Sequence, residues 1–174
     1  LLVAEPMALL IGFALDQQVP VQKAFSGPAV LLERLGTIAA PDLAVMDPAR
    51  LEAAAKGPPA IHRFPSAMAR RVQELAAHIT AVYHGDAARL WTDAADAADL
   101  KRRIGGLPGF GDMKVASLYA VLVRQLGLRP SGWEAALPSH PTLGAVDSPE
   151  ALAAYQAAKR ARKAAMREAE ARAS

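Results

Sequence analysis

The spacing of apolar residues along the chain predicts a protein built from helices. Residues 6–18 are apolar on nearly every side, which is typical of a helix that is buried all round. From residue 67 to 83 the apolar positions instead follow one face of a helix. Prolines and glycines separate these segments and mark their ends. The predicted helices cover residues 6–18, 21–35, 41–45, 48–55, 67–83, 96–104, 112–126 and 149–172, with a short helical turn at 86–91 and mostly loop at 130–141.

Local signals also predict how some of these helices begin, bend and end. Ser66 and Ser148 precede the helices at 67–83 and 149–172, where a hydroxyl can accept a bond from a free backbone amide. Gly27-Pro28 lies inside the helix at 21–35 and should interrupt or kink it. Residues 159–172 alternate in charge and are expected to form a frayed, solvated end.

Composition supports the helical prediction and limits the chemistry. Alanine is abundant and aromatic residues make up 5% of the chain, a balance that favours helices over sheets. With 174 residues, a single domain over residues 1–174 is expected, as a monomer. The chain has no cysteine, which excludes disulfides, cysteine-bound zinc and iron–sulfur clusters and fits a cytoplasmic protein. The apolar run Met7 to Leu15 is too short to cross a bilayer, so no membrane partner is expected.

Positive charge is concentrated between residues 101 and 129, although the net charge of the chain is only +3. One acidic residue, Asp112, lies in this stretch. A local excess of this kind suits a phosphate backbone, and its simpler interpretation is a solvated basic face. The basic residues of the stretch are Lys101, Arg102, Arg103, Lys114, Arg124 and Arg129.

The segment from Leu107 to Lys114, LPGFGDMK, stands between two predicted helices. Two helices that meet at a tight hairpin need backbone freedom, and Gly109 and Gly111 provide it while leaving no side chain in the way of a phosphate. The N-terminus of the following helix adds free N–H groups and partial positive charge. Phe110 is expected to point back and hold the two helices together. The segment therefore predicts an anion-binding hairpin.

This LPGxGxxK pattern, with helices on both sides, resembles the helix-hairpin-helix of the HhH-GPD base-excision DNA glycosylases. Residues 9–21, LLIGFALDQQVPV, are similar to the helix and glutamine-containing element of that family, closest to its 3-methyladenine and mismatch branch. The resemblance covers residues 1 to about 134. It implies an all-α, two-lobed fold whose cleft receives a base flipped out of double-stranded DNA. It also implies backbone contacts by Gly109, Gly111 and Lys114, and a Gln17 or Gln18 that fills the hole left in the duplex.

The resemblance leaves the catalytic carboxylate open between two residues. The family's aspartate follows the second hairpin helix, where this chain has Trp133, with Glu134 beside it. Breaking a glycosidic bond builds positive charge on the sugar, which a fixed carboxylate stabilises. Glu134 and Asp16 are the candidates, and adjacency slightly favours Glu134. Trp133 and His62 are the residues expected to stack on the flipped base.

The resemblance also bears on lysine chemistry and on cofactors. Bifunctional members carry a Schiff-base lysine where this chain has Met113, and Lys114 lies one residue further, about 100° round the helix. Lys114 is therefore assigned to a phosphate contact, and a monofunctional, hydrolytic glycosylase is expected. No cofactor is expected, although the hairpin carbonyls could hold a monovalent cation. The alternative is a DNA-binding protein that kept the scaffold without the chemistry and recognises damaged or bent DNA.

Overall fold

The computed structural model describes residues 2, 4–146 and 148–173, and every regular element in these residues is a helix. The all-α prediction is confirmed for this part of the chain. The helices are α1 (Pro6–Leu15), α2 (Val21–Leu35), α3 (Ala40–Val45), α4 (Pro48–Lys56), α5 (Pro65–Tyr83), α6 (Arg89–Thr92), α7 (Ala97–Gly105), α8 (Asp112–Arg124) and α9 (Pro149–Ala173), with a 3-10 helix at Leu143–Ala145.

Helix α1 lies at the centre of the core, as its all-round hydrophobicity predicts. Residues Met7 to Leu15 are all buried, and the helix packs against both α2 and α5. Gly27 of α2 is needed for this packing, because an added Cβ would overlap the side chain of Leu15. The expected interruption at Gly27-Pro28 is wrong: α2 continues through Pro28. Both residues are buried, so contacts with the core offset the hydrogen bond that proline cannot make.

The remaining helices pack around this centre. Helix α5 lies against α3 and α4, and α7 pairs with α8 to form the two arms of the hairpin. The 3-10 helix packs on α8, where buried Gly144 lies directly against the backbone of Ala120. These contacts fix the position of the hairpin relative to the end of α1.

Helix ends follow some of the local signals and depart from others. Ser148 accepts a hydrogen bond from the Ala151 amide at 3.1 Å, as its predicted capping role requires. Ser66 is not a cap, because α5 begins earlier and the Ser66 hydroxyl donates to Glu52 at 2.8 Å instead. Helix α1 ends at Leu15, three residues sooner than predicted, and the chain turns sharply at residues 16–19. Helix α9 extends to Ala173.

In the described part of the chain, none of the helices combines the length and the apolar character that a bilayer span requires.

Candidate functional site

The hairpin between α7 and α8 has the backbone geometry that its sequence predicts at one glycine but not at the other. Gly109 has φ +75°, a left-handed conformation that side chains disfavour. Gly111 has φ −84° and ψ 177°, which any residue can adopt. An added Cβ at Gly111 would meet nothing within 4 Å, so packing within the protein does not require glycine at this position. The missing side chain affects only what can approach from outside. The expectation of unusual dihedrals at both glycines is therefore wrong for Gly111.

The start of α8 leaves backbone amides without a side-chain acceptor. Gly111 is the N-cap residue and provides no capping side chain. The first amides of a helix have no partner within the helix, and the helix dipole makes that end positive. Phe110 is 6% exposed and points into the core, which holds the hairpin in place.

Arg71 of α5 lies directly over the hairpin. An ideal Cβ on Gly109 would be 3.0 Å from Arg71 Nη1, so the guanidinium packs against the bare glycine. This places an additional positive charge beside the N-terminus of α8. Nothing in the local pattern around Arg71 indicates this position, because it depends on how α5 packs against a loop nearly forty residues further along the chain.

The basic stretch between residues 101 and 129 is less open than its charge predicts. Arg102 and Arg103 both pair with Asp99, an acid that lies just outside the stretch. The Arg129 guanidinium donates to backbone carbonyls and lies 4.4 Å from the centre of the Trp133 ring. Much of the positive charge in this stretch is therefore paired with groups of the protein itself.

Lys114 points toward the end of α1 rather than outward from the hairpin. Its amine donates to the Ala14 carbonyl at 3.1 Å, across one hundred residues of sequence. A cation at the C-terminus of a helix interacts favourably with the helix dipole and with its free carbonyls. This geometry does not support the assignment of Lys114 to an outward phosphate contact. The residue joins α8 to α1 instead.

A cavity of about 350 Å³, here named the Asp16 pocket, opens between the end of α1, the start of α8 and α9. Its volume falls in the usual range for ligand sites. Asp16 and Lys114 lie on the same cavity, with one acidic and two basic side chains among its lining residues. These residues are Phe13, Asp16, Gln17, Gln18, Met113, Lys114, Ser117, Tyr155 and Lys159.

The pocket makes the Lys114 amine unusually easy to deprotonate. Burial lowers the pKa of Lys114 from 10.5 to about 8, and the positive charges of Arg71 and Lys159 act in the same direction. The negative charge of Asp16 opposes this shift. An appreciable fraction of the amine is therefore neutral at physiological pH, which is the form that attacks carbonyl carbons.

Asp16 forms an ion pair with the C-terminal helix. Lys159 Nζ lies 3.0 Å from Oδ2 and 3.3 Å from Oδ1 of Asp16. The Asp16 side chain is only 8% exposed, whereas that of Lys159 is 38% exposed. The sequence predicts a merely solvated segment from residue 159 onward, and this prediction is wrong for Lys159. The residue is fixed by the ion pair with Asp16, and its amine lies 5.8 Å from the centre of the buried Tyr155 ring.

The two glutamines after α1 differ in what they can reach. The Gln17 amide donates to the Ala14 carbonyl at 3.2 Å and contacts Met68 sulfur at 3.4 Å, so it is turned back toward the core. Gln18 is exposed and has φ 56°, a left-handed conformation that costs a residue with a Cβ about 1 kcal/mol or more. Gln18 is thus held outward at the edge of the pocket.

The structure does not bring Glu134 or Trp133 to this pocket. Glu134 is exposed, and neither residue is among those that line the cavity. The Ser131 carbonyl accepts from the Ala97 amide at 3.0 Å, which places this segment at the end of α7 remote from the hairpin. Trp133 packs against the core, and its carbonyl accepts from the hydroxyl of Tyr119 at 3.2 Å. Asp16 is the candidate carboxylate that shares a cavity with Lys114.

His62 lies behind the pocket rather than in it. The residue is 2% exposed, and its Nδ1 accepts from the Phe64 amide at 3.0 Å. That leaves Nε2 as the protonated nitrogen, which donates to the Gln17 carbonyl at 2.8 Å. With no open ring face, His62 cannot provide the predicted stacking surface; it instead holds the backbone that carries Asp16 and Gln18.

The comparisons with known proteins add no relatives: no protein-family model, curated protein or solved structure matches this chain. Within residues 2, 4–146 and 148–173 there is also no cluster of three or more acidic or histidine side chains arranged to hold a metal ion.

Proposed function

We propose that this protein is a DNA glycosylase that receives a flipped, alkylated or deaminated base in the Asp16 pocket and hydrolyses its N-glycosidic bond. The observation that carries the proposal is the position of Asp16, a largely buried carboxylate in a cavity beside the first turn of the hairpin helix α8. The resemblance of residues 9–21 and 107–114 to glycosylase motifs supports the same assignment.

The hairpin grips the DNA backbone in this proposal. A phosphate approaches Gly111 and accepts bonds from the first amides of α8, beside the Arg71 guanidinium that packs on Gly109. From Gly111 to Lys114 the helix rises only about 4.5 Å, so a strand held at the hairpin passes close to the pocket. Gln18, exposed at the pocket edge, fills the space that the flipped nucleotide leaves in the duplex.

Asp16 acts on the sugar once the base is in the pocket. As the bond between C1′ and the base nitrogen breaks, its electrons leave with the base and positive charge develops on the sugar. The carboxylate stabilises that charge and accepts a proton from the water that adds to C1′, and the proton passes to the departing base. Losing such a stabiliser costs on the order of a hundredfold or more in rate.

Lys114 supports a second candidate activity, cleavage of the DNA strand after base removal. Its amine has a pKa lowered to about 8 and lies in the same pocket. After the base has left, the neutral amine can attack the C1′ aldehyde of the ring-opened abasic sugar and lose water to form an imine; loss of a C2′ proton then expels the 3′ phosphate and breaks the strand. With this activity the protein would be a bifunctional enzyme. The position of Lys114 one residue beyond the family's Schiff-base lysine predicts a monofunctional one.

The test is a panel of duplexes that each carry one alkylated or deaminated base, scored for abasic sites by alkaline cleavage. We expect release from at least one lesion, a loss of a hundredfold or more in Asp16→Asn, and nearly full activity in the matched variant Glu134→Gln. Both variants should bind an abasic-site duplex. If Glu134→Gln is the inactive one, the assignment of Asp16 is wrong.

Two further outcomes separate the candidate activities. A borohydride-trapped adduct with an abasic duplex that disappears in Lys114→Met establishes lyase chemistry, whereas base release without an adduct establishes hydrolysis alone. If no lesion is processed and abasic or bent DNA is still bound, the protein is a DNA-binding protein without glycosylase chemistry.

A further inference from the structure

A second cavity lies on the other side of Lys159 from the Asp16 pocket. It has a volume of about 330 Å³ and runs between the turn after α1 and the exposed side of α9. Its polar lining residues are Gln18, Gln156, Lys159 and Arg160, and Val19, Pro20 and Val21 form the opposite wall. We name this cavity the α9 groove. It shares Gln18 and Lys159 with the Asp16 pocket.

The charges in the two cavities are unequal. The α9 groove has two basic side chains and no acidic one among its lining residues, and Asp16 is the acid that faces it across Lys159. Arg160 is exposed, and Lys159 is 38% exposed, so both can reach a ligand from solvent. Amines, guanidinium groups and amides in one concave site are donors that match a phosphodiester.

Lys159 is the residue that connects the groove to the candidate carboxylate. Its amine holds both oxygens of Asp16 in the free protein. That pair offsets the negative charge which a cationic sugar would need. A phosphate that enters the α9 groove competes with Asp16 for the same amine. When the Lys159 amine pairs with the phosphate instead, the Asp16 carboxylate is left free to face the pocket.

We propose that the α9 groove is a phosphate-binding site for the DNA strand that carries the flipped nucleotide, and that Lys159 exchanges Asp16 for that phosphate when DNA binds. This inference rests on the proposed DNA-binding function. The strand is then held on both sides of the Asp16 pocket, at the hairpin and at the groove. The exchange couples DNA binding to release of the carboxylate.

The test measures the affinity of the full chain for a short labelled duplex with one abasic-site analogue, at several salt concentrations. Lys159→Met and Arg160→Met should each weaken binding about tenfold and reduce the salt slope by about one unit. Arg167→Met removes an exposed charge from the same helix outside the groove and should change affinity by less than about twofold. Lys159→Arg should bind like the parent.

A double-mutant cycle isolates the exchange. Asp16→Asn frees Lys159 before DNA arrives and should tighten binding about fivefold, which is the worth of a partly exposed ion pair. In the Lys159→Met background the same substitution should have only the small effect of removing one negative charge. Thermal unfolding of each variant confirms that it is folded before its affinity is compared.

The outcomes separate this inference from the proposed function. No duplex binding by the parent protein overturns both. Duplex binding that falls no further in Lys159→Met and Arg160→Met than in Arg167→Met overturns the groove as a phosphate site and leaves the hairpin assignment intact. If Asp16→Asn tightens duplex binding equally in the parent protein and in Lys159→Met, the exchange is overturned.

Discussion

Lys114 gives the most quantitative prediction, because its amine lies in a pocket that penalises charge. Burial is the main cause that lowers the pKa of Lys114 to about 8, and the neighbouring positive charge of Arg71 adds to it. In the unfolded chain the pKa of this amine is 10.5. Between these two values the unfolded chain keeps a proton that the folded protein has released. The free energy of unfolding therefore rises with pH across this window, and the gain is lost as pH falls through 8.

The size of this effect follows from the two pKa values. Between pH 7 and pH 10, the titration of Lys114 should raise the free energy of unfolding by about 2 kcal/mol once its remaining solvent contact is allowed for. Methionine has a similar length and does not titrate. The difference in stability between the parent protein and Lys114→Met should therefore change by about 2 kcal/mol over this range, in favour of the parent at high pH.

Urea unfolding at pH 7, 8, 9 and 10 measures this difference directly. Lys56→Met, in which a half-exposed lysine of α4 is replaced, serves as the matched control for the loss of a lysine. The unfolding free energy of the parent should rise steadily relative to that of Lys114→Met above pH 8. A gap that stays constant within about 0.5 kcal/mol from pH 7 to 10 refutes the buried position of the amine, and with it the second candidate activity.

Two glycine substitutions give further predictions, and they separate binding from folding. Gly111→Leu adds a side chain whose Cβ meets nothing within 4 Å, so stability should fall by no more than about 1 kcal/mol, the cost of an apolar N-cap. Duplex affinity in a fluorescence anisotropy titration should fall about tenfold or more, because the new side chain blocks the approach of a phosphate to the first amides of α8. Unchanged affinity would remove the hairpin from the proposed interface. Gly144→Ala places a Cβ 2.7 Å from the Ala120 carbonyl oxygen, which should cost about 1–3 kcal/mol and lower the melting temperature by several degrees, as measured by calorimetry. Gly111→Ala is its control, and equal melting temperatures for the two would contradict the packing argument.

The sequence by itself determined the helices of this protein. Helix formation depends on residues three and four positions apart and on caps and breakers at the ends, all of which are visible in the chain. The buried helix α1 and the capping role of Ser148 follow from such local patterns. The predicted interruption at Gly27-Pro28 is wrong, because burial of both residues outweighs the local preference of proline to end a helix.

Only the tertiary structure decided which side chains share a cavity. Lys114 meets the end of α1 across one hundred residues, and Asp16 meets Lys159 across 143. Adjacency in sequence favoured Glu134 over Asp16, but the packing of α7 and α8 carries Glu134 away from the hairpin. Local spacing gives the face of a helix on which a residue lies. It does not give the partner that packing brings to that face, and in this protein the candidate site consists of such partners.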